Sequence, residues 1–147
     1  MKFLTKNTDY AVRAIIELAI RGGSFIPASE ISAKQDIPYQ YLRRILQLLI
    51  KERVVTSREG ASGGVKLKAN PSEVDLVDII KIFQGDIQLS ECMFRKKVCS
   101  NRSKCVLRKR IKAIEEKVNH ELEGITIQNL IDDIKEASNE KKNNKNR

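Results

Sequence analysis

Cys92, Cys99 and Cys105 are the only cysteines among 147 residues, and all three lie within a 14-residue span as Cys92-x6-Cys99-x5-Cys105. The odd count, in a chain whose first residues Met1 to Lys6 lack the long apolar run of a secretory signal, argues against a disulfide framework. Three chemistries remain. Thiolates can hold three corners of an iron–sulfur cluster, with a fourth ligand or solvent completing it. Structural zinc also takes three cysteines and one other ligand, but its Cys-x2-4-Cys knuckles are shorter than these spacings. Free thiols could sense oxidants, because Lys96, Lys97, Arg102 and Lys104 lie among them and cations favour the reactive thiolate. His120, the only histidine, lies 15 residues beyond Cys105, or about 22 Å along a helix. It reads as a surface residue.

No nucleotide-binding glycine fingerprint follows a strand, and no nucleophile has a matching base. An enzyme is therefore not expected, nor a small-molecule substrate. No stretch reaches the roughly 20 apolar residues of a membrane helix. The expectation is a cytoplasmic protein away from membranes.

The elements that must position the cysteines follow from periodicity. Thr8 can cap a helix running to about Arg21, with Ala11, Val12, Ile15, Leu18 and Ala19 on one face. Ala28 to Gln35 reads as a short helix with Ile31 inward. After Asp36-Ile37-Pro38, a third helix is expected from Tyr39 to about Glu52, with Tyr41, Leu42, Ile45, Leu46 and Leu49 as its apolar face. Val54–Ser57 and Val65–Lys68 have strand character, and the glycine-rich stretch 58–64 between them makes a hairpin. A helix ending near Gln84 has Leu76, Val77, Ile79, Ile80 and Phe83 inward. Residues 86–105 show no period and read as a loop. A long helix from Val106 to about Glu121 carries Leu107, Ile111, Ile114, Val118 and Leu122. Thr126 can cap a last helix, 127–137.

Charge is placed unevenly along this frame. Residues 1–70 hold 12 Lys/Arg against 6 Asp/Glu, residues 71–137 hold 12 of each, and residues 138–147 hold 4 against 1, within a total of +9. The positive charge of the folded part thus belongs to the N-terminal half, and a polyanion such as nucleic acid is the partner it suits. The Lys- and Asn-rich end reads as a disordered basic tail.

Helix, short helix, tight turn, helix and hairpin form the order of a winged helix-turn-helix, whose second paired helix enters the major groove. Gln40, Arg43, Arg44 and Gln47 lie on the polar side of that helix. Arginine can pair with guanine and glutamine with adenine, while other cations neutralise phosphate. Glycines at the hairpin tip, Gly63 and Gly64 among them, let backbone approach DNA closely, with Arg58 at its base. A solvated polar helix face and a simple turn are the alternatives for these residues taken singly. Their order within one basic segment favours DNA binding.

With these motifs assembled, the chain resembles the iron–sulfur winged-helix transcription regulators, the Rrf-type family that includes the IscR and NsrR repressors. Leu4-Thr5-Lys6-x-x-Asp9-Tyr10-Ala11-Val12-Arg13-Ala14 is similar to the family's first helix. Ile31-Ser32-x-x-Gln35-x-Ile37-Pro38-x-x-Tyr41-Leu42 is similar to its helix-turn-helix, Gly60-x-x-Gly63-Gly64 to its wing, and the three cysteines to its cluster loop. The resemblance spans about residues 1–135. It implies a homodimer in which the long helices 106–121 pair and place two winged modules on a near-palindromic promoter site. It also implies that the cysteine loop holds an iron–sulfur cluster, [4Fe–4S] preferred and [2Fe–2S] possible, whose state tunes DNA affinity, with repression as the expected action.

Two departures from the family pattern stand out. The wing base reads Arg58-Glu59-Gly60, with an acidic residue where the family usually has Arg-Gly. Some members carry a histidine ligand three residues after the last cysteine; here Arg108 stands there and cannot bind a metal. The family position of Asp9, an aspartate donated from the other subunit, makes Asp9 the fourth-ligand candidate. A favourable acid at a helix N-terminus is its ordinary alternative.

The sequence thus predicts a mainly α fold with a small β-hairpin wing and a long dimerisation helix. Its divisions are a DNA-binding domain at 1–84, a cysteine loop at 85–105, dimerisation and C-terminal helices at 106–137, and a tail at 138–147. A thiol sensor without a cluster and an iron–sulfur electron carrier are the competing functions.

Overall fold

The computed structural model describes residues 4–89 and 99–145, with side chains described to residue 141. Six helices and one hairpin follow in the order α1 (Lys6–Ile20), α2 (Ala28–Gln35), α3 (Tyr39–Lys51), β1 (Val55–Arg58), β2 (Gly64–Leu67), α4 (Leu76–Gln84), α5 (Val106–Leu122) and α6 (Ile127–Lys145). A 3-10 turn, Pro71–Glu73, precedes α4.

α1 begins earlier than its periodicity suggests. Thr5, not Thr8, is the N-cap, and its Oγ1 accepts the Thr8 amide at 3.3 Å. Thr8 lies inside the first turn with its side chain fully buried. Tyr10, Ala11, Ala14, Ile15 and Leu18 then recur every three or four residues and are all buried. They pack with Ile31 of α2 and with Leu42, Ile45, Leu46 and Leu49 of α3. Complete burial of each such leucine or isoleucine contributes about 1.5–3 kcal/mol. Tyr41 corrects the expected apolar face of α3, since it is 48% exposed.

The turn between α2 and α3 is closed by its own polar groups. Asp36 takes a left-handed conformation at φ 50°, which Asp tolerates better than most residues. The Ile37 amide donates to the Ser32 carbonyl at 3.0 Å, and the Ser32 hydroxyl donates to the Ile37 carbonyl at 2.7 Å. Pro38 then supplies the first boundary of α3. This fixes the angle at which α3 leaves α2.

β1 and β2 pair antiparallel with Val55 opposite Leu67 and Arg58 opposite Gly64. The register turns Val55, Val65 and Leu67 into the core, where all three are buried. Ile26, just before α2, adds a bridge to Val65 on the far side of β2, with paired bonds of 2.9 and 2.8 Å. The wing is therefore anchored to the helical body by its inner strand.

α4 continues the main core through Ile79 and contributes Val77 and Ile80 to a second cluster with Ile87. Val118 and Leu122 of α5 pack against that cluster. Leu107 and Ile114, on the same stripe as Ile111, Val118 and Leu122, are 68% and 50% exposed. α5 has no buried residue at all within the protomer. The last helix also departs from expectation: α6 runs to Lys145, eight residues beyond Ala137 and through most of the segment read as a disordered tail. Its Lys, Glu, Ala and Gln residues are adequate helix formers, so the absence of apolar residues ended the periodic signal without ending the helix. Among the described residues no helix is long and apolar enough to cross a membrane.

Candidate nucleic-acid interface and cysteine site

α3 separates its residues cleanly. Leu42, Ile45, Leu46 and Leu49 are buried, whereas Gln40, Arg43, Arg44 and Gln47 are exposed. The spacing i, i+3, i+4, i+7 puts these four on one face. Among the described residues none of their side chains makes a hydrogen bond or ion pair. Two guanidinium groups and two amides are thus presented outward with their donors free, the set needed for base edges and phosphates. Arg44 also borders a cleft of about 210 Å³ lined by Asn7, Tyr41, Ile45, Leu48 and Phe83.

A buried ionic clasp holds α2 against α1 and so sets the pitch of the helix pair. The Glu17 side chain is 3% exposed and accepts from Lys34 at 2.7 Å and Arg21 at 3.2 Å. Gln35 adds a third bond at 3.1 Å. Burial alone would raise the Glu17 pKa, but these three bonds outweigh it and hold it below the usual 4.5. Arg13 donates to the Gln35 carbonyl at the end of α2. Nothing in the periodicity of α1 marks Glu17, because it occupies a core position with a polar residue.

The wing residues take more specific places than the sequence suggests. The Arg58 guanidinium lies 4.2 Å from the centroid of the Phe25 ring and donates to the Ser62 carbonyl at 2.7 Å. Gly63 and Gly64 have packing reasons to be glycine. A Cβ on Gly63 would stand 2.2 Å from the Arg58 carbonyl oxygen; one on Gly64, where φ is 138°, would stand 2.3 Å from that of Ile26. The need for glycine at 63 thus arises within the wing itself, and at 64 from the close approach of the Ile26 backbone beside it.

Cys92 lies outside the described residues, as do Lys96 and Lys97. Cys99 and Cys105 are both unbridged and partly exposed. Cys105 is the N-cap of α5, and its Sγ accepts the Arg108 amide at 3.4 Å. A thiolate there faces the positive end of a 17-residue helix. Two soft, accessible sulfur donors, one already supported by an N–H···S bond, suit an iron–sulfur or other thiophilic centre. Arg108 contributes its backbone amide rather than a ligand.

Asp9 occupies the first turn of α1, 58% exposed in its side chain and 3.6 Å from Arg13 of the next turn. Among the described residues of one protomer, no three Cys, His, Asp or Glu side chains gather as a metal site. His120 is an exposed residue beside Glu123.

The approach to the cysteine loop is tied at two points that the sequence does not signal. Gln84, the last residue of α4, accepts on Oε1 from the Thr8 hydroxyl at 2.8 Å and from the Thr5 amide at 3.0 Å. The Leu89 amide donates to Glu115 of α5 at 3.0 Å. Gln84, before the cysteine segment, is thus tied to the head of α1, and Cys105 at its end caps α5.

Residues 4–133 match the Rrf2 family, described as an iron-dependent transcriptional regulator. Protein aau3 of Rhizobium meliloti is 30% identical over 129 residues, 87% of this chain and 84% of that protein. IscR of Aliivibrio salmonicida is 26% identical over 131 residues, 88% of this chain and 77% of that one. Among solved structures, IscR of T. potens is similar with a TM-score of 0.69 and 28% identity, covering 93% of this chain and 90% of that one. CymR of B. subtilis, the global cysteine regulator, is similar with a TM-score of 0.72 and 25% identity, covering 90% and 98%. The exposed basic face of α3, the wing beside it and this match over nearly the whole chain have one meaning: the protein belongs to the Rrf2 family and is a winged-helix, DNA-binding transcriptional regulator, not an enzyme.

Proposed function

We propose that the protein is a homodimeric regulator, acting as a repressor, whose affinity for a near-palindromic promoter is set by an iron–sulfur cluster. Cys92, Cys99 and Cys105 of one subunit and Asp9 of the other hold the cluster, [4Fe–4S] rather than [2Fe–2S]. Gln40, Arg43, Arg44 and Gln47 read the major groove, and Arg58 with the Gly63-Gly64 tip contacts the backbone. The divisions of the chain follow this reading: residues 1–84 bind DNA, 85–105 hold the cluster and 106–137 dimerise.

One observation carries the proposal. Cys105 caps the helix whose apolar residues Val106, Leu107 and Ile114 are 78%, 68% and 50% exposed. A large apolar stripe left in water is unfavourable, and a second copy of α5 covers it. The ligand and the dimer contact then share one rigid element, so a change at the sulfur reaches both DNA-binding heads. Family likeness to IscR supports the cluster. When bound, such a cluster supplies a centre sensitive to oxidants, nitric oxide and iron supply. Asp9 sits at the head of α1, where Arg13 balances its charge, and a carboxylate shared across the dimer couples the centre to the opposite head.

A thiol sensor without a cluster is the second reading. Likeness to CymR and two unbridged, partly exposed thiols favour it. Anaerobic purification separates the two. The cluster reading requires a coloured protein with matching iron and sulfide, and Cys105→Ser protein without colour. A colourless, metal-free protein that responds to oxidant supports the thiol reading.

A further inference from the structure

Phe25 lies on the connection between α1 and α2, outside every motif, yet two cations of the wing converge on its ring. The Arg58 guanidinium carbon is 4.2 Å from the ring centroid and the Lys66 ammonium 4.9 Å from it. The sheet register explains the convergence. Directly opposite residues of an antiparallel pair share one face. Ile26 opposes Val65, so the preceding Phe25 falls across from Lys66. Arg58 opposes Gly64. Val55, Val65 and Leu67 take the inner face, which leaves Phe25, Lys66 and Arg58 on the outer one. Gly64 carries no side chain, so nothing stands between Arg58 and the ring one strand further on.

From this juxtaposition we infer that Phe25 is a positioning residue for DNA binding, holding Arg58 and Lys66 together on the outer face of the wing as a contact for backbone phosphates. The inference rests on the DNA-binding reading of the wing. An aromatic face attracts both cations and limits their rotamers, while the guanidinium keeps its N–H groups directed around its rim. Ser62 engages one of those groups. Among the described residues no carboxylate lies within ion-pair distance of either cation, so their charge is balanced only when an anion arrives. Closely spaced like charges without a counter-charge suit a ligand that brings several, and duplex DNA brings one phosphate after another. Free rotation of Arg58 and Lys66 would have to be given up on binding; the ring removes that requirement beforehand. Glu59, the acidic neighbour of Arg58 in the tip, does not ion-pair with it, since the guanidinium is turned to Phe25 and Ser62.

The test uses the full-length protein and a mixed-sequence DNA duplex, with binding measured between about 50 and 200 mM salt. Phe25→Leu keeps the apolar bulk and removes the ring. It should bind two- to tenfold more weakly at low salt, and the slope of log affinity against log salt should fall by about one. Phe25→Tyr restores both. Lys66→Gln leaves the ring in place and should also lower the slope by about one, which keeps the test open if Phe25→Leu fails to fold. A purely structural role for Phe25 would weaken binding without moving the slope, and that result overturns the inference. Arg58→Ala distinguishes the two levels. If it lowers the slope while Phe25→Leu and Lys66→Gln do not, only the positioning role fails. If wild-type protein shows no salt-dependent hold on the duplex, the DNA-binding reading of the wing fails with it.

Discussion

The Thr8 hydroxyl donates to Gln84 Oε1 at 2.8 Å, joining residues 76 apart in sequence. Thr8 precedes Asp9, and Gln84 precedes the glycine that opens the cysteine loop. This bond therefore fixes the head of α1 to the point where the loop departs. Thr8→Val keeps the shape and removes the hydroxyl. It should lower stability by about 1–2 kcal/mol, because its bonds to Gln84 and to the Thr5 hydroxyl are both lost and no large cavity is made. Urea unfolding checks this as a lower midpoint with an unchanged slope.

Arg43 is exposed, without a bonded partner among the described residues, on the outward face of α3. Arg43→Ala should weaken binding to the specific promoter by about 1–3 kcal/mol. Thermal unfolding should barely change, since no packed group is removed. Competition with mixed-sequence DNA checks that the loss is mainly in specific binding.

Glu17 makes the helix pair sensitive to acid. Its pKa in the folded protein lies below the usual 4.5, because bonds from Lys34, Arg21 and Gln35 outweigh the opposing effect of burial. A carboxyl with a depressed folded pKa stabilises fully above its unfolded value, and that stabilisation is lost as pH falls through the folded one. Glu17→Gln should cost about 1–2 kcal/mol near neutrality. The gap between wild type and variant should close below pH 4.5, as measured by denaturation at several pH values.

Gly64 tests whether the wing glycines serve packing. Gly64→Ala forces a Cβ to within 2.3 Å of the Ile26 carbonyl oxygen at a φ of 138°. The strained backbone and the broken bridge should cost about 1–3 kcal/mol even without DNA. A variant of wild-type stability that lost only DNA affinity would assign the glycine to the DNA contact instead.

Much of this architecture is legible in the sequence because its causes are local. The alternation of Leu42, Ile45, Leu46 and Leu49 with Gln40, Arg43, Arg44 and Gln47 comes from helical spacing, and the hairpin from glycines between β-branched runs. The long-range partners have no such signature. Phe25, Gln84 and Glu17 act through residues brought close only by folding, and no period marks them. Leu107 and Ile114 lie on the stripe that their spacing predicts and are exposed, since a period shows which residues share a face but not what covers it. The persistence of α6 past Ala137 was hidden for a different reason: an all-polar helix has no apolar period.

The cysteine pattern was the sharpest chemical signal, and the structure adds a position for one of its members. Cys105 lies where the loop becomes α5. Asp9 lies in the first turn of α1. If both hold one centre across a dimer, Asp9→Ala should alter the visible spectrum and the reaction with nitric oxide while leaving apo-protein stability within about 0.5 kcal/mol. An unchanged spectrum and reaction would remove Asp9 from the ligand set.

The central claim, that cluster state sets DNA affinity, is tested most directly by anaerobic promoter binding of one preparation before and after the cluster is removed. The account predicts a change in Kd of about 5- to 150-fold, the range of a coupling of about 1–3 kcal/mol. Equal Kd values for the loaded and stripped protein, with iron and sulfide counts proving the difference in loading, would contradict it.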